Sequence, residues 1–432
     1  MAFHIFIYIA VLLLVALLST RLMKIFKLPN VTGYIVTGIL MGPFVFGLLF
    51  NNFTYDGIKE SLIYDYVNRI KWVSTIALGF IAFSIGTSFK YSTLKAVGKR
   101  VVIITIFEAL FASLLVIAAL VVAHFIFPEQ VSWELVLTLG AIASATAPAA
   151  TLMIIKQYKA HGPLVDTLLP VVALDDAAAL ILFAILFQIA TTLATGGSFD
   201  FYKMLVKPLI EILISLSLGV VLGFLISFMT RFFKSRNNRL IICIFSVFAA
   251  CGLYYLFKTK YLGGFELSSL LMCMMIGTIY TNFAKNSEGT LDVMDRFTSP
   301  IYMMFFVISG ASLDLTVFFS KIGLIVLTIA AVYIAFRVVG KWLGAFVGSS
   351  ITHSRPTIKK YLGFTLIPQA GVAIGLATTA NALFTSNPET EFAGALVIAV
   401  ILTSTLIYEL VGPLISKFAL QKAGEIDKEE QQ

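Results

Sequence analysis

The sequence predicts an all-α polytopic membrane protein of about 13 transmembrane helices, arranged as inverted repeats with two crossed broken helices. Three observations carry that prediction. Of the 432 residues, 59% are hydrophobic and 12% charged, with a mean hydropathy of +0.96. Soluble domains are roughly half apolar and a quarter charged. The apolar residues fall into thirteen runs divided by short polar turns, each near the ~20 residues that carry a helix across a bilayer. Two of the runs are interrupted by proline and glycine, seven spans apart.

The first span, 3–22, reads as a retained helix. No basic n-region precedes it and no small-residue cleavage site follows, whereas Arg21, Lys24 and Lys27 mark its far end. Spans at 31–50 and 70–88 come next. Span 4, 101–126, contains Glu108, a possible core acid for which snorkelling or a bond to a neighbouring hydroxyl is the structural alternative. Span 5, 133–156, holds Ser144-Ala-Thr146-Ala-Pro148, where proline removes a backbone donor and disfavours helix at Ala147. Span 6, 164–193, carries Asp175 and Asp176 in an otherwise apolar, small-residue setting. Spans 7 to 9 cover 205–230, 239–257 and 265–284; Cys243, Cys251 and Cys273 lie there without metal-type spacing and read as packing residues. Span 10 is 297–312. Span 11, 321–348, has Arg337 at its middle and Lys341 one turn later, nearer an end where it can snorkel. Span 12, 358–384, is broken at Ile367-Pro368-Gln369-Ala370-Gly371, and span 13, 392–416, includes Glu409. The polar tail, 417–432, is expected to be short, cytoplasmic and mobile.

The net charge of +8 and a sequence pI near 9.2 do not point to nucleic acid, because the basic residues sit in short loops between apolar runs. Loops after the odd-numbered spans, with the tail, carry 21 of the 31 Lys and Arg; the opposite side carries eight. By the positive-inside rule the chain lies in the cell membrane with its N-terminus outside and its C-terminus cytoplasmic.

A charge at the bilayer centre costs at least about 2.5–3.5 kcal/mol on insertion scales, so Asp175, Asp176, Arg337 and Lys341 are functional candidates that need partners. Consecutive helical residues point about 100° apart, so the two aspartates have different tasks. One pairs with a cation on a neighbouring helix, for which the permanently charged Arg337 is the natural partner. The other faces a water-filled cavity and binds an exchangeable ion. A purely structural ion-pair network is the alternative. With span 7 as a linker, the breaks in spans 5 and 12 occupy the same place in two halves of opposite topology, the mark of an inverted-repeat transporter. Half-helix ends bring partial charges and freed carbonyls into a cavity, and Ser144, Thr146 and Gln369 add side-chain oxygens nearby.

Together these residues resemble the cation/proton antiporter superfamily, in the monovalent cation:proton antiporter-2 branch that includes bacterial sodium/proton and Kef-type potassium/proton exchangers. The resemblance covers nearly the whole chain. It rests on Leu28-Pro-Asn-Val-Thr-Gly-Tyr-Ile-Val-Thr-Gly-Ile-Leu-Met-Gly-Pro43, Ala145-Thr-Ala-Pro148, Asp175-Asp176, Phe305-Phe-Val-Ile-Ser-Gly-Ala-Ser-Leu-Asp-Leu315, Arg337 and Pro368-Gln-Ala-Gly371. It implies the sodium/proton antiporter fold: a transmembrane antiporter domain, 1–416, with core helices about 101–193 and 297–384 and the remaining helices forming a dimerisation part. It further implies that Asp176 carries the ion and that Asp175 pairs with a basic residue of span 11. Relatives often place lysine there, so Lys341 stands beside Arg337 as a partner. A homodimer is implied, and a separate cytoplasmic regulatory subunit could supply the nucleotide-binding domain that Kef-type relatives carry.

The expected activity is secondary active antiport by alternating access, exchanging a monovalent cation, Na+ or K+, for protons in the service of pH homeostasis. Asp176 would bind either a proton or an alkali cation. No catalytic residue or cofactor is expected. A passive cation channel or ion-gated receptor on the same fold is the alternative. An intramembrane aspartyl protease fails, because its two acids must face each other from different helices.

Overall fold

The computed structural model describes residues 2–49, 62–87, 89–195, 201–233, 235–258, 267–284, 287–312, 323–384 and 390–426. Asp314 and its neighbours in the Phe305–Leu315 motif, and the last six residues of the tail, lie outside them. Among the described residues the regular structure is helical throughout. In chain order the helices are α1 (Ala2–Ile25), α2 (Asn30–Met41), α3 (Phe46–Leu49), α4 (Leu62–Ile70), α5 (Trp72–Thr87), α6 (Tyr91–Ile126), α7 (Trp133–Ile142), α8 (Pro148–Gln157) and α9 (Pro163–Thr195). A short π-helical turn at Tyr202–Val206 leads into α10 (Lys207–Phe232). Then come α11 (Arg236–Lys258), α12 (Ser269–Phe283), α13 (Ser287–Ala311), α14 (Gly323–Ile351), α15 (Pro356–Thr365), α16 (Gly371–Phe384) and α17 (Glu391–Ala423).

Each predicted span overlaps a helix or a broken pair, although α13 begins ahead of the tenth span and α4 ahead of the third, and among the described residues eight helical stretches are long and apolar enough to cross a bilayer alone. Helix starts follow local chemistry. Ser132 accepts a bond from the Leu135 N–H, and Ser268 does the same for Leu271, each satisfying a donor that the first turn leaves free. Pro148 and Pro356 occupy first helical positions, where a missing N–H is harmless.

The helices form two compact units. The first comprises Met1–Ser92 and Glu211–Asp314. Its helices approach through glycine: a Cβ on Gly38 would lie 2.0 Å from the Val307 carbonyl oxygen, and one on Gly310 would lie 2.2 Å from that of Ile35. That reciprocal contact seats α13 on α2. Gly86 and Gly277 do the same for α5 and α12, against the Met274 and Phe83 carbonyls. Small residues at such crossings are the usual solution in membranes, where dispersion has to replace the hydrophobic effect. Cys243, Cys251 and Cys273 are buried and unbridged.

The second unit comprises Thr93–Ile210 and Leu315–Gln432. Its core gathers α6, α7, α9, α14, α16 and α17, with Leu135, Leu139, Tyr333, Leu396, Val400 and Tyr408 among the buried residues. Helix α14 lies on α6 through a ladder of glycines one turn apart: a Cβ on Gly340, Gly344 or Gly348 would come within 2.6, 2.5 or 2.8 Å of a Cα of Ala112, Glu108 or Ile104. Helix α17 runs past the predicted end of its span to Ala423, and both Glu425 and Ile426 beyond it are buried. The tail is therefore ordered as far as Ile426, because a polar side chain there has a seat, described below.

Candidate ion site

All four residues singled out for cost lie in the second unit, around two helix breaks. Helix α7 ends at Ile142, and the chain leaves helical geometry before Pro148, with Ala147 extended at φ −96°, ψ 108°. Helix α15 ends at Thr365 and α16 begins at Gly371, on the far side of Pro368. The two gaps meet. The Ala147 N–H donates to the Pro368 carbonyl at 2.8 Å, Thr146 Oγ1 donates to the Leu366 carbonyl at 3.4 Å, and Thr151 Oγ1 to that of Thr365 at 3.1 Å. Gln369 stitches them from the other side. Its Nε2 donates to the carbonyls of Ile142 at 2.9 Å and Ala145 at 3.4 Å, and its Oε1 accepts from the Tyr333 hydroxyl at 3.1 Å.

A broken helix leaves carbonyls without intrahelical donors, and those at a C-terminal end carry partial negative charge. Arg337 answers this for both breaks at once. Its Nε donates to Ala143 O at 3.0 Å, Nη2 to Ala145 O at 2.7 Å and Nη1 to Ile367 O at 2.7 Å, with the guanidinium 4.6 Å over the Tyr408 ring. The side chain is fully buried. Only a planar cation with several fixed donors can serve three carbonyls from two helices.

Lys341, one turn further along α14, has the acids. Its ammonium donates to Glu108 Oε2 at 2.5 Å, to Asp175 Oδ2 at 3.2 Å and to the Ser144 carbonyl. These three bonds use all three of its protons. Lys341, Glu108 and Asp175 are each fully buried, and the glycine ladder is what lets α6 bring Glu108 so close to α14. Asp176, on the next residue of α9, turns to another direction. It is buried, and its Oδ1 accepts no hydrogen bond. A buried carboxylate oxygen without a donor is expensive. It is the one carboxylate of the cluster held back from the lysine's three bonds.

The structure thus pairs Asp175 with Lys341 and not with Arg337, the partner favoured from sequence. The guanidinium is taken by the Ala143, Ala145 and Ile367 carbonyls instead. Lys341 does not snorkel, and Glu108 joins the ion-pair cluster. Ser144 contributes its carbonyl to Lys341, while its hydroxyl donates to Ala141 O at 2.7 Å. The hydroxyls of Ser144 and Thr146 both donate to carbonyls, which leaves their oxygen lone pairs as acceptors. Pro148, Pro368, Gln369 and Gly371 all fall at the crossing. Sequence reasoning missed Tyr333, which orients Gln369, and the stripe Gly340, Gly344 and Gly348, whose four-residue spacing is a legible signal of close helix contact.

If every acid is ionised, Glu108, Asp175 and Asp176 outnumber Lys341 and Arg337 by one. One proton or one alkali cation cancels the difference.

Comparison with known proteins agrees with this geometry. A family model for the transmembrane part of sodium/hydrogen exchangers matches residues 9–417. Two solved structures of the sodium proton antiporter MjNhaP1 from Methanocaldococcus jannaschii share the fold. The structure at pH 8 has a TM-score of 0.63 at 17% identity, covering 98% of this chain and 99% of that one. The electron-microscopy structure has a TM-score of 0.70 at 18% identity, covering 97% and 98%. No curated protein matches by sequence.

Proposed function

The chain belongs to the sodium/hydrogen exchanger family, a family of secondary antiporters and not of enzymes, and from that premise we propose that Asp176 is where sodium and protons compete. Membership makes the activity exchange of Na+ for H+ across a membrane, with no cofactor, and sets aside the passive channel. It reaches the superfamily expected from sequence without assigning the Kef-type branch.

The observation that carries the assignment is the unequal treatment of two neighbouring acids. Asp175 is held by Lys341; Asp176 Oδ1 is buried with no donor. A proton or a partly dehydrated cation satisfies that oxygen and the cluster's one unbalanced charge, but not both together. Carbonyls at the crossed breaks and the hydroxyl oxygens of Ser144 and Thr146 supply neutral oxygen ligands of the kind alkali cations take. An empty, charged site is costly to carry through a low-dielectric barrier, so the core changes sides only when occupied, and exchange is obligatory. Potassium would compete for the same oxygens.

The same reading places the protein in the cell membrane as a homodimer, with the first unit as the dimerisation part, the N-terminus outside and the C-terminus cytoplasmic. Contact between the tail and the 158–163 loop supports the alternation behind that topology, since eight predicted spans separate them. A separate regulatory subunit would then meet the cytoplasmic end.

The test uses purified protein in liposomes holding a pH-sensitive dye, with sodium, potassium, lithium or choline chloride added under an imposed proton gradient. Sodium-dependent dequenching that disappears in Asp176→Asn is expected. Full sodium-driven proton flux in that variant would remove Asp176 as the carrier.

A further inference from the structure

Helix α9, which carries Asp175 and Asp176, starts at Pro163, and its first N–H groups have no partners within the helix. They are met from the far end of the chain. After α17, Gly424 takes the left-handed conformation (φ 75°) that ends a helix, and the chain turns so that Glu425 reaches α9. Its Oε1 accepts from the Leu164 N–H at 2.6 Å and its Oε2 from the Val165 N–H at 2.9 Å, while its backbone carbonyl accepts from the His161 N–H at 3.0 Å. Gly162 makes the seat: at φ 143° it adopts a conformation open to glycine, and a Cβ there would lie 2.6 Å from the Glu425 carboxyl carbon. Glu425 and Ile426 are almost fully buried, although both follow the last helix in a stretch of polar composition.

We infer that Glu425 is a positioning residue for cation exchange: by capping α9 from the tail, it fixes the height of the helix on which Asp175 and Asp176 stand. The inference rests on the antiport reading above. A cap of two bonds holds the helix along its own axis. Asp175 lies eleven residues beyond Leu164 on α9 and must meet Lys341 on α14 at hydrogen-bond distance. An axial slip of α9 breaks that register directly. The second anchor of the tail, Lys417 Nζ lying 4.6 Å over the Tyr158 ring, keeps α17 beside the same loop, so Glu425 acts on α9 from a fixed base. Through this contact the tail sets cation affinity without touching the cation.

The experiment compares wild type, Glu425→Ala, Glu425→Gln and Glu425→Asp at one fixed pH. It measures KM and kcat for sodium in proteoliposomes, and the sodium concentration that half-stabilises the detergent-purified protein against heat. For Glu425→Ala, KM and the half-stabilising concentration should both rise about threefold to thirtyfold, the equilibrium equivalent of losing a helix cap, with kcat changed less than about twofold. Glu425→Asp, which keeps the charge on a shorter arm, should fall between alanine and wild type. A lower melting temperature with unchanged KM and unchanged sodium dependence, or equal effects of alanine and aspartate, would overturn the inference in favour of a merely structural cap. Absence of sodium-coupled proton movement in the wild type would strike the antiport reading instead, and the stabilisation curves would still decide the role of Glu425.

Discussion

Replacing Lys341 by methionine keeps most of the side chain's volume and removes its charge. In the native site that charge meets Glu108 Oε2, Asp175 and the Ser144 carbonyl, all on fully buried residues. Without it two carboxylates face each other in a low-dielectric core. Breaking a buried ion pair from one side costs about 3–5 kcal/mol, against a total stability of roughly 5–15 kcal/mol for a folded protein. Lys341→Met should therefore unfold at much lower temperature and denaturant in detergent, and carry no sodium-driven proton flux. Adding Glu108→Gln removes one of the stranded charges and should recover part of the loss. A double-mutant cycle between Lys341→Met and Asp175→Asn should give a coupling of about 0.5–3 kcal/mol, read from melts followed by tryptophan fluorescence. The same cycle between Asp175 and Arg337 should give a smaller value, because the guanidinium bonds carbonyls. A larger coupling to Arg337, or a Lys341→Met protein as stable as wild type, would refute the pairing and return the lysine to a snorkelling role.

A methyl group on Gly344 would lie 2.5 Å from the Glu108 Cα and from the Phe107 carbonyl oxygen, so Gly344→Ala should part α14 from α6 and lose about 1–3 kcal/mol by overpacking. On α16, Gly375→Ala meets nothing within 4 Å and should be neutral or stabilising by up to about 1 kcal/mol; equal melting temperatures for the pair would sink the ladder. A third expectation concerns pH. Burial, helped by Asp166, pushes the Glu425 carboxyl above its ordinary value, while the Leu164 and Val165 N–H groups and His161 pull it down; the charged residues of α17 nearest to it in sequence are Lys417 and Lys422, each lying over an aromatic ring. The seated tail then holds a proton more tightly than a free one, so seating is firmest below the ordinary glutamate range and weakens as pH rises through the raised value. Amide exchange at Leu164 and Val165, corrected for intrinsic rates, should quicken across that window, and a flat profile would contradict it.

The architecture was legible because bilayer crossing leaves a coarse trace in composition. Proline inside two apolar runs marked both breaks, and their matched places in two halves foretold that the breaks would meet. The pairing within the site was harder to read. Arg337 and Lys341 are one turn apart on one face of α14, and sequence alone offers a permanent charge at midspan as the better partner for an acid. What decided otherwise was hydrogen-bond geometry: two broken helices present several carbonyls at the level of Arg337, and those exist only once the breaks have met. Glu108 was ambiguous for a related reason, since its value depends on how closely α6 can approach α14. The tail misled through composition, because the polar residue that seats it bonds to backbone 260 positions away.

The two cations of α14 divide one electrostatic problem between them. Crossed breaks create partial negative charge at the C-terminal ends of α7 and α15, and the acids add full charges one turn away. A single base could not neutralise both sets, since three carbonyls from the two breaks already take up the spread, fixed donors of Arg337 and leave the carboxylates to a second cation. With Arg337 holding the scaffold, Lys341 is left to hold Asp175 and Glu108, and Asp176 is the remainder. On the proposed reading, that division lets Asp176 change its occupant without collapse of the crossing. The groups that fix the backbone are then distinct from the acid proposed to exchange the ion. It also predicts which exchanges of residue are tolerable. Swapping the two bases, Arg337→Lys with Lys341→Arg, preserves every charge in the cluster, yet it should abolish transport, because an ammonium at 337 cannot reach three carbonyls at once. Retained sodium–proton exchange in that swapped protein would mean that charge alone, and not donor geometry, builds the site.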